Sequence, residues 1–303
     1  MHYPHVASDM IALVSDYGIS VQEVPDLPVH SNHVYVSPIE VAFNGIENAV
    51  YLGLLWLKPK TILGSMGIVR VIDVGVDVDQ GLKGKTFTVS PFSPSSGGIG
   101  TDSHGIASEA ASIPLDALFP YYEDLGDLNV LLPYLSIALQ VEEVYEGKRL
   151  LVIGSGPLGS LIAGLCESCD EVGLMGASKP YLPSGRVRMV SKIEPDAWDA
   201  VFIATLEAWA LEASKEFKAV AFPRLTLRWP PVVPPKAIEI ASKPRDDLLR
   251  AMKSLDRKFL TQFVVRSDTF EGAIPASDGK LVVVDVRRAL RGVGDKGSLK
   301  RLS

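Results

Sequence analysis

Gly154-Ser155-Gly156-Pro157-Leu158-Gly159 is the stretch whose surroundings decide the fold of this 303-residue chain. Before it runs Arg149-Leu150-Leu151-Val152-Ile153, short and apolar like a buried parallel strand. After it comes Ser160 to Cys169, a small-and-apolar stretch that can form a helix. Strand, G-x-G-x-x-G and helix in this order make a dinucleotide-binding turn. Gly154 permits the tight turn, Gly156 lets the backbone approach a pyrophosphate, and Gly159 lets helix and strand pack closely. Pro157 and Leu158 complete the turn, and the helix start beyond it offers free N–H groups and positive dipole potential to phosphates.

Working outward, the chain shows two regimes. From Met10 to about Pro114, β-like runs are separated by Gly/Pro turns: Ile11–Val14, Ile19–Val24, His33–Phe43, Ile68–Val74 and Thr86–Val89. This spacing predicts a compact β-rich domain. From about Asp124 to Ala241, strands (Leu150–Ile153, Val172–Met175, Ala200–Ala204, Ala219–Phe222) alternate with helical stretches (Leu128–Tyr145, Ser160–Cys169, Trp209–Glu216). Alternation of this kind predicts a parallel sheet covered on both faces, so the fold class is α/β. The remainder reads as helices over Leu248–Leu255 and Phe270–Ala276 and strands over Phe263–Val265 and Leu281–Val286, with a polar, basic tail fraying at its tip. The prolines around Pro230 to Pro235 mark the margin of the sheet.

Composition narrows the partners. Thirty Lys and Arg stand against 36 Asp and Glu, a net charge of −6 without basic blocks, which argues against nucleic acid or an anionic membrane surface. Mean hydropathy is +0.20, yet no apolar run reaches the ~18 residues a membrane span needs. No basic-then-apolar leader is visible, and the expectation is a soluble cytoplasmic protein acting on a small molecule. Cys166 and Cys169 read as apolar fillers of the helix after the glycine turn. His2, His5, His30 and His33 follow no metal-ligand spacing and read as surface residues.

Further stretches resemble the medium-chain dehydrogenase/reductase superfamily. Ile62-Leu63-Gly64, then Gly67-Ile68-Val69 and Val74-Gly75, is similar to its "LGxExxGxVxxVG" segment, and Gly84 to Val89 to its "GDRV" strand. Leu135 to Leu139 resembles the interdomain helix of the glucose and polyol dehydrogenase branch, and Asp199 to Thr205 the strand ending in "ATG" beside the nicotinamide ribose. The resemblance implies a GroES-like catalytic domain over residues 1–120, completed by 262–303. A Rossmann domain, a doubly wound parallel sheet, would span 121–261, with the cofactor cleft between the two. Dimers or tetramers joined through the Rossmann sheet edge, around Val232–Ala241, are the implied assembly.

The departures from the family pattern are equally informative. Where zinc-using members carry a ligand Cys, this chain has Asn44; where they carry a His-Glu pair, it has Ser65-Met66; a further His is Ala49. The four-cysteine structural lobe is replaced by the Pro91 to Gly100 loop. A zinc-free enzyme is the expectation, since Asn and Ser are poor zinc donors and Met and Ala replace no missing ligand. Asn44 with Glu47 also resembles the zinc-free quinone oxidoreductase branch, whereas the glycine turn has the polyol-branch form.

The second strand of such a site usually ends in an acid that binds the ribose hydroxyls of NAD. Here it ends Gly176-Ala177-Ser178-Lys179, so Ser178 and Lys179, with Arg186 or Arg188, suit a 2′-phosphate, and NADP(H) is favoured over NAD(H). Thr205 is the implied nicotinamide-side contact. Without metal, side chains must protonate or stabilise the reduced oxygen, and His104, Asn44, Ser65 and Tyr51 are the candidates. The resulting expectation is an oxidoreductase moving hydride to or from a small carbonyl, alcohol or enone. Its alternative is a degenerate relative that binds nucleotide for sensing or assembly and turns nothing over.

Overall fold

The computed structural model describes residues 9–183, 185–277, 279–294 and 301–302. His2, His5 and residues 295–300 and 303 of the basic tail lie outside them. The N-terminal third of the chain is β-rich: β1 (Asp9–Ser15), β2 (Ile19–Pro25), β3 (His33–Phe43), β4 (Thr61–Ile62), β5 (Gly67–Val74), β6 (Thr86–Val89), β7 (Phe92–Ser93), β8 (Gly97–Gly98), β9 (Ala111–Pro114) and β10 (Leu118–Pro120), with one short helix, α1 (Gly45–Tyr51). The middle carries α2 (Leu132–Val144), β11 (Arg149–Ile153), α3 (Pro157–Leu165), β12 (Glu171–Met175), β13 (Val187–Met189), β14 (Ala200–Ile203), α4 (Ala208–Ser214), β15 (Val220–Arg224) and β16 (Ile238–Ala241). Then follow α5 (Leu248–Ser254), α6 (Arg257–Thr261), β17 (Val264–Ser267), β18 (Leu281–Asp285), α7 (Val286–Gly294) and β19 (Arg301–Leu302).

The middle sheet is wholly parallel, in the order β13-β12-β11-β14-β15-β16. That is the doubly wound order, in which the direction of winding reverses between β11 and β14 and leaves a crevice at the strands' carboxyl ends. Leu150 to Ile153 are fully buried, as a central strand covered on both faces requires. β16, just after the proline cluster, is the sheet edge, where its missing neighbour leaves ladder positions open.

Within the β-rich domain, the larger sheet runs β10-β6-β5-β3-β18-β17, with β9 also on β3, and a second runs β19-β2-β1-β4. The C-terminal segment therefore returns to complete the first domain: β18 pairs antiparallel with β3, Val282 opposite Phe43. Helix α2 is apolar and its residues Leu132 to Ala138 are all buried, which places it inside the molecule. The core around it joins the parallel sheet to Ala42, Ile46 and Met66 of the β-rich domain, so the two layers share apolar contacts. Among the described residues no helix is long and apolar enough to cross a membrane.

Four local expectations need correction. The Leu128–Tyr145 helix divides into a 3-10 stretch, Glu123–Leu131, and α2, with Gly126 at φ 53 interrupting the first. Helix α3 starts three residues before Ser160, because Gly156 serves as its cap and Pro157 fits its first turn. It ends at Leu165, since Cys166 leaves helical geometry at ψ 63, so both cysteines lie beyond it. Phe270–Ala276 is a run of turns with a cis Ile274–Pro275 bond rather than a helix.

Candidate active site

The glycine turn sits in the crevice the sheet order creates. Gly154 adopts φ +117, the left-handed region that side chains avoid, and a Cβ there would lie 2.8 Å from the Ala204 carbonyl. Gly159 faces back into the turn, its hypothetical Cβ 1.8 Å from Gly154 O. Gly156 differs: a Cβ there would meet nothing within 4 Å, so its backbone stands open to the crevice. No side chain caps the start of α3. Backbone donors with room before them are what a pyrophosphate needs, so the turn fits a dinucleotide.

One cavity of about 660 Å³ opens from this turn. Its walls come from the carboxyl ends of the parallel strands: Gly154 to Leu158 after β11, Met175 to Ser178 from β12, Ala204 to Glu207 after β14. Asn44, Asn48, Leu52, Leu54 and Tyr134 close it from the β-rich side and from α2, and Ser277, Gly279 and Lys280 from the returning segment. Asn48 fixes that segment, donating to Ala276 O at 3.0 Å and accepting from Ala276 N at 2.7 Å. Ser155 ties the glycine turn to the end of β12: its Oγ accepts from Ser178 N at 3.1 Å and lies 2.7 Å from Ser178 Oγ.

Of the residues singled out from sequence, Asn44, Gly154, Gly156, Pro157, Leu158, Ser178 and Thr205 line this cavity. Gly159 acts from beneath the turn. Ser65 is fully buried behind Asn44, whose Nδ2 donates to its Oγ at 3.1 Å. Tyr51 ends α1 and packs on the β-rich core instead. His104 is drawn away because its loop folds back on β4: Gly105 N donates to Ile62 O at 2.8 Å, and His104 Nδ1 accepts from Ile62 N at 3.2 Å. Lys179 and Arg186 are exposed and outside the lining. Arg188 is engaged elsewhere, 3.2 Å from Glu171 and stacked over Trp198.

Asn44 and Glu47 have a visible local role. Asn44 caps α1, accepting from Ile46 N at 2.8 Å, while Glu47 accepts from Asn44 N at 3.0 Å, a reciprocal capping box. The other Glu47 oxygen accepts from Ser65 N at 2.8 Å. Burial pushes this carboxyl above its usual range, and the hydrogen bonds from Ser65 and Asn44 oppose that push. Met66, beside Ser65, is buried in the shared core.

Tyr134 is concealed in the sequence by its apolar neighbours Leu132, Pro133 and Leu135. Its side chain is 5% exposed and reaches the cavity from the first turn of α2. Burial, and then the negative charge of Glu47, hold its phenol well above the usual tyrosine range. Lys280 and Trp209 are equally unmarked, since each comes from a segment distant in sequence from the glycine turn.

No family profile and no curated protein matches the chain in sequence. Solved structures do match in shape. A zinc-binding dehydrogenase of unconfirmed function from Sinorhizobium meliloti 1021, bound to NADP, is 17% identical, with TM-score 0.63 over 92% of this chain and 99% of its own. Haloferax mediterranei glucose dehydrogenase, in complex with NADP, zinc and gluconolactone, is 15% identical at TM-score 0.65, over 92% and 99%. Galactitol-1-phosphate dehydrogenase from Escherichia coli is 16% identical at TM-score 0.65, over 92% and 100%. The Haloferax mediterranei complex contains zinc, for which Asn and Ser are poor donors. Asn44, Ser65 and Glu47 satisfy one another, and no group of three or more His, Cys, Asp or Glu among the described residues could hold a metal ion. The two-domain architecture, a β-rich domain beside a doubly wound parallel sheet, is the fold this chain shares with these dehydrogenase structures.

Proposed function

We propose that this protein is a nicotinamide-dependent oxidoreductase that works without zinc, using NADP(H) in preference to NAD(H) on a small carbonyl, enone or alcohol. The observation carrying it is the open Gly156 backbone at the mouth of α3, in a cavity reached by three parallel strand ends. Gly156, Pro157 and Leu158 would hold the pyrophosphate. Ser178 and Lys179 would face the adenosine ribose, at a strand end where no carboxylate is present to repel a 2′-phosphate. When bound, the reduced nicotinamide supplies hydride. Around it Thr205, just after β14, and Asn44, at the cap of α1, would wall the substrate's place and exclude water. Assembly through the β16 edge belongs to the same proposal.

Titration with NADPH and NADH, read by the fluorescence of Trp209 in the cavity wall, tests the reading. NADPH is expected to bind about tenfold more tightly, the worth of one or two charge-assisted hydrogen bonds to the extra phosphate. Failure of both nucleotides to bind would end it. Elemental analysis of the purified protein should find zinc well below one per chain; a stoichiometric ion that survives dialysis would refute the metal-free site.

A further inference from the structure

The cavity beside the nicotinamide position is unusual in how its polar groups are used. Both ends of the Asn48 amide are taken by Ala276. Asn44 is spent on its helix cap and on Ser65. Glu207 accepts from Trp209 Nε1 at 2.5 Å. Tyr134 is the contrast: its ring is buried to 5% exposure, it lines the cavity, and its hydroxyl has no hydrogen-bond partner among the described residues. A donor left uncommitted at the wall of a cavity is free to meet an acceptor atom of a ligand.

The walls beyond it are apolar. Leu52 is 65% exposed, Leu54 56% and Trp209 45%, yet all three face this cavity. The loop carrying the two leucines is anchored at the mouth by Arg228, whose guanidinium donates to the Trp56 carbonyl at 3.0 Å. Exposed leucines on a fixed loop, facing a tryptophan, leave an uncovered apolar wall of the kind that marks a ligand groove. A polyhydroxylated substrate would bring several hydroxyls to groups already committed within the protein, and each would lose its water without replacement.

We propose that the cavity takes a carbonyl compound with an extended apolar tail, its oxygen held and protonated by Tyr134 and its tail lying across Leu52, Leu54 and Trp209. This rests on the nicotinamide-dependent reading above. In the reduction, the carbonyl carbon, or the far carbon of a conjugated alkene, gains the hydride and the π pair moves to oxygen. That oxygen takes the Tyr134 proton, and the phenolate is reprotonated by water. Oxidation of the alcohol is the same sequence reversed. Burial, and then the negative charge of Glu47, disfavour a standing tyrosinate, so the hydroxyl is kept in its donor form across the neutral range.

The test uses unreactive mimics, the linear primary amides from butanamide to octanamide, titrated into the protein–NADPH complex. Affinity should rise about threefold for each added methylene, and Tyr134→Phe should weaken every member about tenfold while leaving the NADPH Kd within twofold. With an alkyl enone of matching length, Tyr134→Phe should lower kcat by about 100-fold or more and raise KM by no more than the roughly tenfold lost by the amides. Intact NADPH binding with a flat amide series, or with amide affinities unchanged in Tyr134→Phe, overturns this proposal and leaves the cofactor reading standing. Absence of NADPH binding overturns both.

Discussion

Gly156→Asp should cost at least about 100-fold in NADPH affinity, because a carboxylate set against a pyrophosphate opposes it by several kcal/mol. Unlike many glycine substitutions, this one carries no folding penalty that would confuse the result. Residue 156 has φ −71, ordinary for any amino acid, and the space where its Cβ would stand is empty. An acidic residue at the cap of a helix is itself mildly favourable. The thermal midpoint is therefore expected to stay within about 2 °C of the parent protein, since helix-cap effects are of order 1 kcal/mol or less. Unchanged nucleotide affinity in a well-folded Gly156→Asp protein would show that phosphates do not approach this turn.

Three residues on, Gly159→Ala should give the opposite result. Its added methyl would lie 1.8 Å from Gly154 O, against a backbone carbonyl that cannot swing aside as a side chain can. Gly154 is itself confined by its positive φ and by the Ala204 backbone, so the overlap has to be relieved by prising α3 away from β11. Overpacking at a rigid backbone contact costs about 3 kcal/mol, which lowers the midpoint by roughly 5 °C in a chain of 303 residues. A differential scanning calorimetry trace that overlays the parent would mean helix and strand are not held together here. The two substitutions separate the binding and packing roles of a single turn.

The glycine turn and the parallel sheet are legible in the sequence because their determinants are local and strongly periodic. A four-residue apolar run has to be covered on both faces, and Gly154 and Gly159 answer to contacts only a few residues away. The start of α3 escapes any reading that does not give Pro157 its weight as a first-turn residue. The candidate site is legible in its glycine-turn half only. Its other half is assembled from Asn48, Tyr134, Trp209 and Lys280, each carried by a different element. Tyr134 in particular looks like core when read among Leu132, Leu135 and Ile137, and only the position of α2 turns its hydroxyl towards open space. His104 misleads in the reverse direction. A histidine near a glycine-rich loop invites a catalytic role, but the loop's backbone pairing with Ile62 spends its ring on structure.

Phe43 and Val282 are neighbours in one ladder although the whole parallel-sheet domain is encoded between them. A ribosome thus delivers β3 long before it makes the strand that will cover it, and that flank waits exposed while another domain is synthesised. Waiting edges recruit unwanted strands. The exposed stretch, Glu40 to Phe43, begins with a charge and follows Pro38, which has no amide hydrogen, and both are poor invitations to a stray partner. In the finished protein Glu40 lies opposite Asp285 and is neutralised by Arg266, a cation that arrives on the same late segment as the missing strand.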